Sequence, residues 1–216
     1  MRRGLQRMAA ATAATTGAYL RWVRPWELRW GATDDEVALP APGDELVQGP
    51  HLVSTRVVTV HTPPERVWPW LVQIGRGRAG WYSYDWLDNG RQPSAREILP
   101  AYQHMAVGDV VAMTLRKGQP YGPPVLALDP PHSMLWGDAE EPRRFTWLWL
   151  LRDAGQGRTR LISRVRCRFS WRQPMVGLMT EFGDPIMMPK CLLGIAERAA
   201  AAAAAAPALA GVAAER

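Results

Sequence analysis

The stretch RFTWLWLLRDAGQGRTRLISRVRCRFSW, Arg144–Trp171, decides how this chain folds. Its second half alternates. Leu161, Ser163, Val165, Cys167, Phe169 and Trp171 fall on one side of an extended chain, and Arg160, Ile162, Arg164, Arg166 and Arg168 on the other. Successive side chains of a strand point to opposite faces, so one face is expected to be buried and the arginine face to meet solvent or a rim. The first half, Arg144–Arg152, is aromatic and leucine-rich and reads as a partner strand, with Phe145, Trp147, Trp149 and Leu151 pointing the same way. Gly155-Gln156-Gly157 supplies the turn of a hairpin.

Working outward, Asp109–Leu115, Pro124–Leu128 and His132–Trp136 read as further strands, parted by Lys117-Gly118 and Pro130-Pro131. Upstream, Leu52–His61 is β-branched and reads as the first strand. Thr62-Pro63-Pro64-Glu65 then starts a helix, with Thr62 as N-cap, Pro63 in the first turn and Glu65 completing a capping box. Val67, Trp70, Leu71 and Ile74 continue at helical spacing, and Pro69 keeps this helix short or kinked. Downstream, Met187, Met188, Cys191, Leu192, Ile195 and Ala199 form one apolar stripe at spacings of three and four. Pro185 and Pro189 place the regular part of that last helix from about Pro189 onward. The expected fold is α+β: a curved antiparallel sheet wrapped around a long C-terminal helix, with two short helices after the first strand.

Composition sets the frame. The chain has 216 residues, 47% of them hydrophobic and 21% charged, which fits one folded domain with a sizeable core. The expected organisation is a flexible leader over residues 1–23, an extended arm over 24–51, the folded domain over 52–198 and an alanine-rich tail over 199–216. Arg2-Arg3 stands before Met8–Leu20, but Thr12, Thr15, Thr16 and Gly17 interrupt that segment, so it reads as a loose or weakly helical leader rather than an export signal. No stretch has the ~18 uninterrupted apolar residues of a membrane span. The net charge of +6 comes from dispersed arginines, so nucleic acid is not the expected partner. Cys167 and Cys191 are the only cysteines and are far apart, and the four histidines show no ligand spacing, so no metal or other cofactor is expected. The setting expected from two isolated thiols is cytoplasmic.

Three segments carry a resemblance. They are Thr62-Pro63-Pro64-Glu65-Arg66-Val67-Trp68 after a strand, Gly77–Leu87 with its Trp81-Tyr82-Ser83-Tyr84-Asp85-Trp86 core, and Leu192–Arg198 in the terminal helix. Together with the element order they resemble the START-like (SRPBCC, helix-grip) superfamily, in particular a bacterial polyketide cyclase-like subgroup of uncharacterised function. The resemblance spans roughly residues 52–198. It implies a hydrophobic cavity between the sheet and the last helix.

On that basis the expected ligand-binding residues are Trp70, Tyr82, Tyr84, Asp85, Trp147, Trp149, Ser163, Met188 and Leu192, with the Gly75–Gly80 loop as a gate. Gly75, Gly77 and Gly80 match the letters of a dinucleotide fingerprint, but they follow a helix and no βαβ unit succeeds them. Tyr82, Tyr84 and Asp85 could orient a ligand, or be packed rings and a helix cap. His104 reads as a surface residue rather than a base, and Asp34-Asp35-Glu36 and Glu140-Glu141 as solvated turns or caps. Met175, Met179, Met187 and Met188 suit either a core or an adaptable apolar site. The reading adopted is binding of a small hydrophobic or aromatic molecule, lipid included, without demonstrable catalysis. Two alternatives stand beside it. One is a polyketide cyclase or aromatase that works by positioning, with Tyr82, Tyr84, Asp85 or Arg164 polarising a carbonyl. The other is a surface-interaction protein that uses the basic arginine face.

Overall fold

The hairpin expected at Arg144–Trp171 is the centre of the sheet. A computed structural model describes residues 2–172 and 174–214, so the last two residues of the expected tail lie outside it. The strands are β1 (Leu52–Val60), β2 (Thr114–Arg116), β3 (Gln119–Tyr121), β4 (Val125–Asp129), β5 (Ser133–Gly137), β6 (Phe145–Asp153) and β7 (Thr159–Cys167). Five of them form an antiparallel sheet in the order β1-β7-β6-β5-β4, and β2 and β3 make a separate ribbon. The helices are α1 (Arg2–Ala18), α2 (Arg24–Leu28), α3 (Asp34–Ala38), α4 (Pro64–Val72), α5 (Asp85–Asp88), α6 (Pro174–Leu178) and α7 (Asp184–Ala214). The fold is α+β, with the sheet packed against the long C-terminal helix and the two short helices α4 and α5 following β1.

One face of the sheet carries the core. Trp136, Trp147 and Val165 lie opposite one another across β5, β6 and β7, and Met134, Trp149 and Ser163 form the next row. Met188, Cys191, Leu192, Ile195 and Ala199 of α7 belong to the same buried cluster. Burial of each such large side chain contributes about 2 kcal/mol. Gly194 permits the close approach of α7, since a Cβ there would lie 2.1 Å from the Tyr82 carbonyl oxygen.

Most of the opposite face is covered and, of the β7-side arginines, only Arg168 is exposed, which corrects in part the expectation drawn from the alternation. The arm preceding β1 covers it. Arg160 holds Glu36 with two bonds of 2.7 Å, and Arg168 donates to the Gln48 carbonyl at 3.0 Å. Arg164 is buried. Its guanidinium donates to Thr55 Oγ1, to Asp44 at 2.9 Å and to the carbonyls of Leu39, Glu36 and Val37. Glu36, expected in a solvated turn or cap, does close a capping box with Thr33 at the start of α3, but it is buried and faces Arg160 rather than water. The approach is close enough to require glycine at residue 31, where a Cβ would sit 2.1 Å from the Val57 carbonyl oxygen. Apart from Arg168, the basic face of the surface-interaction alternative is therefore a seam against the arm.

Three local expectations are also corrected. Thr62 does not cap α4: Pro63 takes the N-cap position, and the Thr62 carbonyl accepts from Thr159 Oγ1 at 2.6 Å. Asp109–Leu115 is strand only from Thr114, because Asp109 folds back onto Ala106 and the facing Pro123 and Pro124 have no N–H for a ladder. The last helix runs regularly from Asp184, not Pro189. A proline ring collides with the carbonyl four residues back. A π turn over Met179–Gly183 widens the coil just ahead of Pro185, and Asp184 N–H reaches the Met179 carbonyl five residues back. Pro25 follows a matching π turn, Tyr19–Val23, in the same way.

The seam predicts unequal arginines. Arg164→Ala leaves three arm carbonyls without their donor and is expected to cost about 3 kcal/mol in urea unfolding, with residues 36–48 becoming sensitive to protease. Arg166→Ala removes a half-buried contact of 3.4 Å to Asp44 and is expected to cost under about 1 kcal/mol. Equal losses would remove the arm from its role as cover.

Candidate functional site

β7 ends at Cys167, and one further bond, from the Arg168 N–H to the Arg144 carbonyl at 2.7 Å, follows it. The Phe169 N–H then bonds to His51 Nδ1 at 3.1 Å, and the two rings lie 5.9 Å apart. A cleft of about 540 Å³ lies at this end of the sheet. Phe145 and Phe169 line it from the sheet side, Met175 from α6 and Met179 from the π turn that follows, and Met113 and Pro124 from the ribbon side. Gly177 of α6 faces Phe169, and a Cβ there would make ordinary contact with the ring at 3.5 Å. The volume lies within the ~300–1,000 Å³ usual for small-molecule sites.

Polar groups punctuate these walls. Arg144 and Arg168 both line the cleft. Asp138 is already engaged, its Oδ2 accepting from the Arg144 backbone N–H at 2.8 Å. Burial pushes the Cys167 thiol up to about 11, eased in part by Thr180, so it stays protonated and weakly nucleophilic at neutral pH. The arrangement suits an apolar body with an anionic or carbonyl-bearing end.

The structure brings most of the expected site residues together, but elsewhere. Trp147, Trp149, Ser163, Met188 and Leu192 are all buried between the sheet and α7. Trp81 stacks on Trp147 at 5.7 Å, Trp136 meets Trp147 edge-on at 5.2 Å, and Trp147 stacks on Trp149 at 5.3 Å. The Trp147 indole N–H donates to Ser163 Oγ at 2.9 Å. The four indoles occupy the space where the cavity was expected. Trp70 packs edge-on against Tyr82, whose hydroxyl accepts from Gln73 and donates to the Trp70 carbonyl. Burial raises the Tyr82 hydroxyl well above its ordinary range. Asp85 accepts from the backbone N–H and hydroxyl of Ser94, which in turn accepts from the Tyr82 N–H. Tyr84 borders a separate groove of about 260 Å³ with Trp26, Trp30, Ile186 and Leu193. None of the nine lines the larger cleft. Arg164 faces the arm, His104 is exposed, and Gly75 and Gly80 bond to each other across a tight loop.

One residue was not singled out. Asp88 closes α5 and is buried, and burial pushes its carboxyl up to about 6, opposed in part by the Ser83 hydroxyl. That hydroxyl is itself committed to the Met187 carbonyl at 3.1 Å. An isolated aspartate in a polar run has no sequence mark of such burial. Among the described residues, no group of three or more His, Cys, Asp or Glu side chains could hold a metal ion, and no helix is long and apolar enough to cross a membrane.

No protein-family model and no curated protein matches the chain. Solved structures do align with it. Protein MLL2253 from Mesorhizobium loti is 19% identical, with a TM-score of 0.37 over 67% of this chain and 95% of that one. Protein Ms6760 from Mycobacterium smegmatis is 16% identical, with a TM-score of 0.37 over 72% and 92%. The Polyketide_cyc-like protein Cgl2372 from Corynebacterium glutamicum is 16% identical, with a TM-score of 0.32 over 72% and 84%.

Asp88 carries a pH prediction. The folded chain binds this proton more tightly than the unfolded chain, so its contribution favours folding in acid and is lost as pH rises through about 6. Asp88→Asn is expected to raise stability at pH 7 by about 1–2 kcal/mol and to flatten the decline between about pH 4 and pH 6 in thermal melts. A profile identical to that of the parent would mean that Asp88 is solvated.

Proposed function

We propose that the chain binds a small, largely apolar molecule with an anionic or carbonyl end in the cleft between Phe145, Phe169, Met175 and Met179. The observation that carries this reading is the cleft itself: about 540 Å³, walled by aromatic, proline and methionine side chains, with Arg144 and Arg168 at its border. Methionine walls accommodate ligands of varied shape. The apolar body would gain from leaving water, while a guanidinium fixes the orientation of the polar end. The binding is non-catalytic in this reading. The lining acid Asp138 is tied to the Arg144 backbone, and the Cys167 thiol is held protonated. Neither is poised as a base or nucleophile.

Dodecanoate is a suitable probe, since it pairs an apolar chain with a carboxylate. Calorimetry is expected to show saturable uptake of one molecule per chain. Gly177→Leu places a side chain in the cleft at a helical position where leucine is favoured. It is expected to weaken dodecanoate binding at least tenfold and to leave the melting temperature within a few degrees. Undiminished binding by Gly177→Leu would move the ligand out of this cleft.

A further inference from the structure

We propose that the face formed where the N-terminal and C-terminal helices meet docks on an anionic lipid bilayer. This surface borders the cleft at Met179, and its inference does not rest on ligand binding there. The two helical segments are locked side by side at their π turns. Arg24 pairs with Glu181, with Nη2 3.0 Å from Oε2, and the Tyr19 ring stacks on Phe182 at 6.4 Å. Trp22 in the first π turn and Trp26 in α2 stand exposed just after Tyr19. Met179, Phe182 and Ile186 are exposed on the second π turn and the start of α7. Trp26 and Ile186 border the same groove, so the two sets join.

These side chains are not covered. Trp22 is 66% exposed, Trp26 62%, Phe182 54% and Ile186 62%. Trp171, in the turn leading to α6, is 85% exposed with Arg172 over its ring at 5.2 Å. A contiguous apolar face on this scale marks an interaction surface.

Charge selects the occupant. Residues 1–26 contain Arg2, Arg3, Arg7, Arg21 and Arg24 and no acidic residue. The acids beside the face turn inward: Glu181 to Arg24, Asp184 to Arg56, and Glu27 accepting from the Tyr19 hydroxyl. Arg7, Arg21, Arg172 and Lys190 are exposed, and Lys190 borders the same groove as Trp26 and Ile186. Tryptophan seated among arginine and lysine fits the boundary between headgroups and acyl chains, with the cations drawn to anionic lipid. A second copy of the chain would instead bring the same uncompensated arginines against themselves.

The test uses the full chain with unilamellar vesicles of phosphatidylcholine and phosphatidylglycerol at 7:3, and of phosphatidylcholine alone. Cosedimentation is expected to show binding to the mixed vesicles at least tenfold tighter than to the neutral ones, with a blue shift of tryptophan emission. Raising salt to about 0.5 M is expected to weaken it. The triple variant Trp22→Glu, Trp26→Glu, Ile186→Glu is expected to lose at least tenfold in vesicle affinity, and Arg7→Glu with Arg21→Glu to lose selectivity for the anionic lipid. All these positions are exposed, and far-UV circular dichroism checks that the fold persists. Gly177→Leu is expected to bind vesicles like the parent, which separates this surface from the cleft. Absence of binding to either vesicle overturns the proposal, as does equal binding by the triple variant. So does a dimer in light scattering that the triple variant returns to monomer, which would assign the face to a second copy.

Discussion

The guanidinium of Arg164 sits inside the protein on the far face of the sheet from α7, and the N-terminal third of the chain is arranged to satisfy it. A buried cation without partners is costly, whereas one that meets a carboxylate and several carbonyls can be held. Asp44 and the carbonyls of Glu36, Val37 and Leu39 supply that set from a segment more than a hundred residues away. The bend after α3 follows from this geometry, because the carbonyls must point at one planar group. The sheet thereby becomes a middle layer, with helix on one side and arm on the other.

The inner face carries a second buried arginine. Arg56 pairs with Asp184 and donates to the Glu27 carbonyl at 2.8 Å. Burial pushes the Asp184 carboxyl up and Arg56 pulls it back. One guanidinium thus ties β1 to the end of α2 and to the start of α7. Each of these two helices starts just beyond a π turn and beside a proline. The wider turn lets each helix pass its proline without breaking, so the two helices can run alongside each other past the sheet edge.

The sheet and α7 leave little room between them, because four indoles fill it. Free volume instead collects where β7 stops pairing and the chain turns toward α6, at the cleft walled by Phe145, Phe169, Met175 and Met179. Met179 belongs both to this wall and to the exposed stripe that continues through Phe182 and Ile186, so the cleft and the apolar helical face share a border.

Much of this architecture was legible in local periodicity. The two-residue alternation of β7, the paired aromatic strand β6, the Gly155–Gly157 turn and the stripe from Met188 to Ala199 each report which side of an element leaves water, and neighbouring residues decide that. The cleft was legible only in its parts: Phe169, Met175 and Met179 stood out as apolar, but nothing marked where β7 would end. Periodicity also says nothing about which polar face meets water and which meets another polar segment. Arg160, Arg164 and Arg168 look the same in either case, and Glu36, which in sequence reads as part of a solvated turn or cap, finds Arg160 only across 124 residues. Whether large side chains beside a helix leave a cavity or fill it depends likewise on how their rings interlock in three dimensions. The amino-acid sequence by itself determined the elements, their order and their apolar faces, because those follow from short-range spacing. The covering of the arginine face, the filled interior and the position of the cleft were decided only by tertiary structure, because they depend on distant groups meeting at contact distance.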